Sequence, residues 1–109
     1  MSWDFSMTID AGGEFPIDLP YEANYTYNVS AMFFEAFPGK DGIRGLDGRT
    51  GEDCQEPLRV AIQAMEDNPG KYKTMNPDNG WGDYHGALDL LRELRGWCVA
   101  APNATMAVH

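Results

Sequence analysis

The sequence predicts an α+β domain: a small, mainly antiparallel sheet, made from N-terminal strands plus a C-terminal strand, packed by an antiparallel helix pair and one short helix. Three observations carry that expectation. Apolar residues alternate near both ends of the chain, they recur at helical spacing in two central segments, and 109 residues suit a single domain spanning 1–109 with one core. By general scaling a chain of this length buries roughly two-thirds of its unfolded surface, enough to fold without a metal or disulfide staple. Thirteen aromatic residues separate it from disordered sequences, which are aromatic-poor.

Residues 3–10 open the chain as a half-buried strand. Trp3, Phe5, Met7 and Ile9 share one face, and Asp4, Ser6, Thr8 and Asp10 the other. Gly12-Gly13 marks a turn. Phe15, Ile17 and Leu19 alternate again, but Pro16 and Pro20 lack the amide hydrogen of a central strand, so this piece is an edge strand or an extended loop. Tyr21, Tyr25, Tyr27 and Val29 share one parity, which suits a strand or an extended arm. Ser30 is a plausible N-cap for a short helix, Ala31 to Phe37, stopped by Pro38-Gly39.

Gly39, Gly42, Gly45, Gly48 and Gly51 fall at every third position. So short a run lacks the length and prolines of a triple helix, and a glycine-rich surface loop is expected. Cys54, Leu58, Ala61, Ile62 and Met65 then form one stripe of a helix, with Glu56, Arg59, Gln63, Glu66 and Asp67 opposite. Thr50 or Asp53 caps it. Asp53 is the better choice, because it leaves Pro57 in the first turn, where amide donors are unpaired anyway. Asn68-Pro69-Gly70 ends it. A further helix follows Pro77-Asp78-Asn79-Gly80, with Tyr84, Ala87, Leu88, Leu91, Leu94 and Cys98 as its apolar face. Asp83 near its start and Arg92 and Arg95 near its end suit the helix dipole. Ala104, Met106 and Val108 alternate into a closing strand.

The formal charge of −9 is unevenly spread: residues 1–39 hold Asp4, Asp10, Glu14, Asp18, Glu22 and Glu35 and no Lys or Arg. Such a field repels phosphate backbones and anionic lipid and attracts a basic protein surface. Its ordinary role is to keep a small domain soluble. No apolar run approaches the roughly 20 residues of a membrane helix. No basic segment precedes an apolar stretch at the start, so the expected compartment is the cytoplasm.

Chemistry-bearing patterns are sparse. Two cysteines and two histidines show no paired metal-ligand spacing, so neither a zinc site nor any cofactor is expected. Cys54 and Cys98 fall at the same end of an antiparallel helix pair. A disulfide there is sterically conceivable, and two buried free thiols suit a reducing compartment better. His85 stands in Trp81-Gly82-Asp83-Tyr84-His85 with no nucleophile motif beside it, and no enzyme is expected. The glycine-rich stretch carries Lys40, Arg44 and Arg49 and runs into a helix start near Thr50, a set able to hold a nucleotide-like anion on free amides and cations. It matches no phosphate-loop motif, its acids do not follow the EF-hand spacing, and Asp41, Asp47 and Asp53 offset its charge. For partner binding the candidates are Asp10, Glu14, Asp18 and Glu22 with Tyr21, Tyr25, Tyr27 and Trp81. Trp81 either anchors a partner or, the commoner role, folds back over the core.

Three stretches carry a resemblance. Asn24-Tyr25-Thr26-Tyr27-Asn28-Val29-Ser30, Asn79-Gly80-Trp81-Gly82-Asp83-Tyr84 leading into Gly86-Ala87-Leu88, and Pro102-Asn103-Ala104-Thr105 together resemble small uncharacterised proteins encoded by actinobacteria and their phages. The resemblance implies a mobile-element protein and assigns no site residue. The leading expectation is a non-enzymatic binding module that docks its acidic N-terminal region on a basic host protein and blocks it, with no direct contact to nucleic acid or membrane. The alternatives are an anion binder using residues 39–51 and a structural or assembly component of a phage particle.

Overall fold

The computed structural model describes residues 1–109. The alternation at the start becomes β1 (Ser2–Ile9), which buries Trp3, Phe5 and Met7 and turns Asp4 to solvent. Gly12, at a φ of +86°, makes the turn into β2 (Ile17–Thr26). β1 pairs antiparallel with β2, Trp3 opposite Tyr25 and Phe5 opposite Ala23, and on its other side with β3 (Thr105–Val108), Phe5 opposite Val108. The order is β2-β1-β3, so the proline-bearing strand is an edge, as the missing amides require. Between Ser6–Glu22 and Thr8–Asp18 the register slips by two residues on β2, and Pro20 lies in that irregularity.

One face of the sheet is covered by helices α1 (Ser30–Ala36), α2 (Gly51–Asp67), α3 (Pro69–Lys73) and α4 (Tyr84–Ala100). α2 and α4 run antiparallel. The start of α2 lies against Cys98 and Ala101, and at its other end the Tyr84 hydroxyl donates to the Met65 carbonyl at 2.7 Å. Leu58, Met65, Leu88, Leu91 and Leu94 are buried with Met32, Phe33 and Ile43 in one apolar core, while Ile62 is only half-buried. The open edge of β3 is covered by the segment before α2: Gly48 donates to Met106 and Met106 to Arg49, each at 2.8 Å, and the Asp47 carboxylate accepts from the Val108 amide at 2.9 Å.

Four expectations need correction. Ser30 does not cap α1. The chain tightens into a 3₁₀ turn over Tyr27–Val29, and the Ser30 hydroxyl donates back to the Tyr27 carbonyl. Residues 39–51 are not merely a surface loop: a 3₁₀ turn over Gly42–Leu46 buries Gly42, Ile43 and Leu46, because its three-residue period brings Ile43 and Leu46 to the same side. Thr50, not Asp53, caps α2, its hydroxyl accepting from the Asp53 amide at 3.2 Å. The amides of Gly51 and Glu52 donate to the carbonyls of Ala104 and Pro102, so packing against the C-terminal segment starts the helix early and leaves Pro57 inside it. Asn68-Pro69-Gly70 ends α2 as expected, and Pro69 starts a further helix, α3, whose Tyr72 is buried. Trp81 does not fold over the core; 69% of it is exposed.

Candidate functional site

The hairpin formed by β1 and β2 runs past the end of β3 and past the helix layer. The molecule measures 47 × 26 × 22 Å, and its radius of gyration of 14.0 Å exceeds the roughly 13 Å typical of this length. Exposure grows along the hairpin's inner face. Tyr21 stacks on Trp97 of α4 with ring centroids 5.5 Å apart, Leu19 and Ile9 are half-buried, and Ile17 and Phe15 reach 52% and 74% exposure. The outer face and the turn carry Asp4, Asp10, Glu14, Asp18 and Glu22, all exposed. Asp10 also shapes the turn by accepting from the Gly12 amide at 2.9 Å. None of these five carboxylates has a cation within ion-pair distance; among the acids of residues 1–39 only Glu35 is paired, with Lys71.

Of the partner-binding residues expected from sequence, the four acids therefore lie on the outer face and turn of the hairpin, while the three tyrosines are spent on internal partners. Tyr25 belongs to the helix scaffold: its hydroxyl accepts from the Asp83 amide at 3.1 Å and donates to the Asp83 carbonyl at 3.3 Å, at the start of α4. Tyr21 is held by Trp97, and Tyr27 packs edge-on against Trp3 at 4.9 Å. For Tyr21 and Tyr25 the shared parity marks the inner face of a strand, where rings find internal partners, and Tyr27 follows in the 3₁₀ turn. Phe15 and Ile17, which sequence reasoning placed on an edge strand or an extended loop without a role, are the apolar residues exposed at the hairpin's end.

The anion set does not assemble. Arg44 lies against Tyr27, donating to its hydroxyl at 3.2 Å with the guanidinium 5.9 Å from the ring centre. Arg49 lines a separate depression with Phe37, Pro38 and Pro57, and Lys40 borders neither place. The first amides of α2 are already hydrogen-bonded within the protein, one of them to the Thr50 hydroxyl, so this helix start offers no free backbone donors to an anion. What residues 41–44 do form is the rim of an apolar cavity of about 150 Å³, walled by Trp3, Tyr27, Phe33, Phe34 and Ile43, with Asp41 and Arg44 at its mouth. Nothing in the pattern of the sequence brings Trp3 and Phe33 together there.

A third surface lies on the back of the helix pair. Arg59, Arg92 and Arg95 border a groove between α2 and α4 with Ile62, Gly96 and the half-exposed Val99. Arg59 pairs with Glu56, and Arg92 with Glu66 and Asp89. The Glu56 contact holds the Arg59 guanidinium above its ordinary pKa and lowers that of the Glu56 carboxyl. Arg95 has no such partner.

The two cysteines are free and buried. The Cys98 sulfur beside it and burial push the Cys54 thiol well above its ordinary range, and its S–H points toward the Leu46 carbonyl at 3.6 Å. Such a thiol is a poor nucleophile. His85 is exposed and packs against Tyr84, with no hydrogen-bonded nucleophile. No three His, Cys, Asp or Glu side chains converge as metal ligands, and no helix is long and apolar enough to cross a membrane. Comparison with family models, with curated proteins and with solved structures gave no match to this chain.

Proposed function

We propose that this protein is a non-enzymatic binding module that docks its β1–β2 hairpin on a basic surface of another protein, blocking what that surface otherwise does. The observation that carries the reading is the hairpin tip: Phe15 and Ile17 exposed between carboxylates that have no cation of their own. An exposed aromatic and an aliphatic residue at a projecting turn supply an apolar anchor, while unpaired rim carboxylates steer association and select basic partners. A surface that normally holds nucleic acid has the matching charge, and the acidic hairpin would compete with phosphate for it. A phage-encoded origin, expected from sequence, would make a host protein the partner and the cytoplasm the place of action.

The test is capture from a bacterial lysate by immobilised wild type and two variants, at low and high salt. A specific partner is retained by the wild type, weakened by salt, and lost from both Phe15→Ser/Ile17→Ser and Asp10→Asn/Glu14→Gln/Asp18→Asn/Glu22→Gln. Equal capture by all three proteins contradicts the reading.

One observation favours a second reading, an assembly component. The groove bordered by Arg59, Arg92, Arg95 and Val99 offers one unpaired cation, Arg95, beside apolar residues that suit the hairpin tip of another copy. Two different surfaces meeting in this way join subunits head to tail. Under that reading the wild type self-associates as concentration rises, and Arg95→Glu or Phe15→Ser returns it to monomer.

A further inference from the structure

The aromatic cavity stands apart from the hairpin tip. Trp3 lies at one end of β1 and the turn at the other, about 20 Å away at the usual rise of a strand. We propose that this cavity, open on one side, is a binding site for a small monocyclic aromatic carboxylate, its ring seated against Tyr27 and Phe34 over the edges of Trp3 and Phe33 and its carboxylate on the Arg44 guanidinium.

The size and the walls select the ring. A volume of about 150 Å³ is on the order of the apolar cavity that takes up benzene in a well-studied engineered protein. The walls already meet one another as tilted and edge-on rings, Trp3 to Phe33 at 5.5 Å and Trp3 to Tyr27 at 4.9 Å, the arrangement aromatic groups prefer and a guest ring can extend. Gly42 shapes the entrance. It has a φ of +58°, and a Cβ there would come within 3.2 Å of the Phe34 ring, so glycine lets that ring lie flat against the backbone as a wall. Phe34 is 56% exposed, an apolar wall facing water that a bound ring would cover.

The charge at the mouth selects the carboxylate. In a chain of net charge −9, Arg44 has no carboxylate within ion-pair distance. One terminal nitrogen is spent on the Tyr27 hydroxyl, which fixes the plane of the guanidinium and leaves its other donors for a ligand. Asp41 on the same rim sets an upper limit on ligand charge: it opposes a second negative charge, and with it a phosphate dianion. The site thus keeps one residue of the set expected from sequence, Arg44, and replaces a nucleotide-like anion by a singly charged, ring-bearing one.

The experiment is a titration of the full chain followed by the indole resonance of Trp3, with benzoate, benzyl alcohol and inorganic phosphate as separate probes. The expected result is a saturable shift with benzoate at a Kd on the order of 1 mM or tighter. Benzyl alcohol should bind at least tenfold more weakly, and phosphate should give no shift. In Arg44→Gln, whose side chain is exposed, benzoate should bind no better than benzyl alcohol. No saturable benzoate shift overturns the proposal. So does equal binding of benzoate and benzyl alcohol by the wild type, which would make the cavity an apolar hole without charge selection. Competition by phosphate overturns it too, since Arg44 would then be a plain anion contact. The wild-type comparison decides even if the Arg44 variant is poorly folded.

Discussion

Replacing Gly51 by alanine reverses the usual sign of a glycine-to-alanine change in a helix. Gly51 is the first residue of α2 and has no unusual backbone angle, so on propensity alone alanine would stabilise by about 0.4–1 kcal/mol. An added Cβ, however, would stand 2.5 Å from the Ala101 carbonyl oxygen and 3.2 Å from both the Cα and the carbonyl oxygen of Cys98. All three are backbone atoms, which cannot rotate out of the way. The same approach is held by the Gly51 amide, which donates to Ala104 at 2.7 Å, so the start of α2 cannot back off without breaking that bond. Overpacking of this kind costs about 1–3 kcal/mol, and its upper half outweighs the propensity gain. The net expectation is destabilisation by about 1–2 kcal/mol, a fall in melting temperature of about 4 °C per kcal/mol for a chain of this length. Gly96→Ala is the matched control. It lies in the interior of α4, where an added Cβ meets nothing, and should stabilise by up to about 1 kcal/mol. Urea unfolding of the two variants measures both. A Gly51→Ala protein as stable as the wild type refutes the close clamp between the start of α2 and the end of α4, and with it the argument that this helix start has no free donors for an anion.

Other consequences follow from the core and the scaffold. Leu91→Ala, at a fully buried site between the helices and the sheet, should lower unfolding free energy by about 2–5 kcal/mol in the same assay. Tyr25→Phe removes a hydroxyl that both accepts from and donates to the Asp83 backbone and should cost about 1 kcal/mol, with no change in hairpin-dependent capture. Cys54 and Cys98 should resist a thiol reagent in native protein at pH 8 and both react once it is unfolded; fast native reaction contradicts their burial. Because the folded-state pKa of Cys54 is raised, its contribution to stability is fully present below the unfolded thiol range near about 8.5. That contribution falls as pH rises above it, and the lowered pKa of the neighbouring Cys98 offsets part of the loss. Unfolding curves between pH 7.5 and about 10 check the sign.

Periodicity in the sequence was enough to find both strands at the ends, the two long helices and their antiparallel pairing, because each of those elements buries one regular face. It failed where the period was short or shared. Gly42–Leu46 has a three-residue repeat, and the glycines that suggested an exposed loop hid the buried Ile43 and Leu46 between them. Tyr21, Tyr25 and Tyr27 read equally well as a free arm or as the inner face of a strand, since parity alone does not say what lies opposite; Trp97, Asp83 and Trp3 decide it. The acidic bias of residues 1–39 was legible, but not the geometry that carries it past the helix layer, which depends on how far β3 and α4 reach along β1. The aromatic cavity was illegible for the same reason: Trp3, Phe33 and Ile43 come from separate elements and meet only in the folded core.

Docking through the hairpin is tested most directly by association kinetics. Once a partner is captured, its association rate should be measured against the wild type, the four-amide variant at Asp10, Glu14, Asp18 and Glu22, and Arg44→Ala with Arg49→Ala, at low and high salt. Exposed charges are worth about 0–1 kcal/mol each and act collectively through steering, so the four amides should slow association at low salt and lose most of the salt dependence, while the arginine pair leaves both unchanged. Unchanged rates for the four-amide variant at both salt concentrations, or loss of binding in the arginine variant alone, would contradict docking through the hairpin.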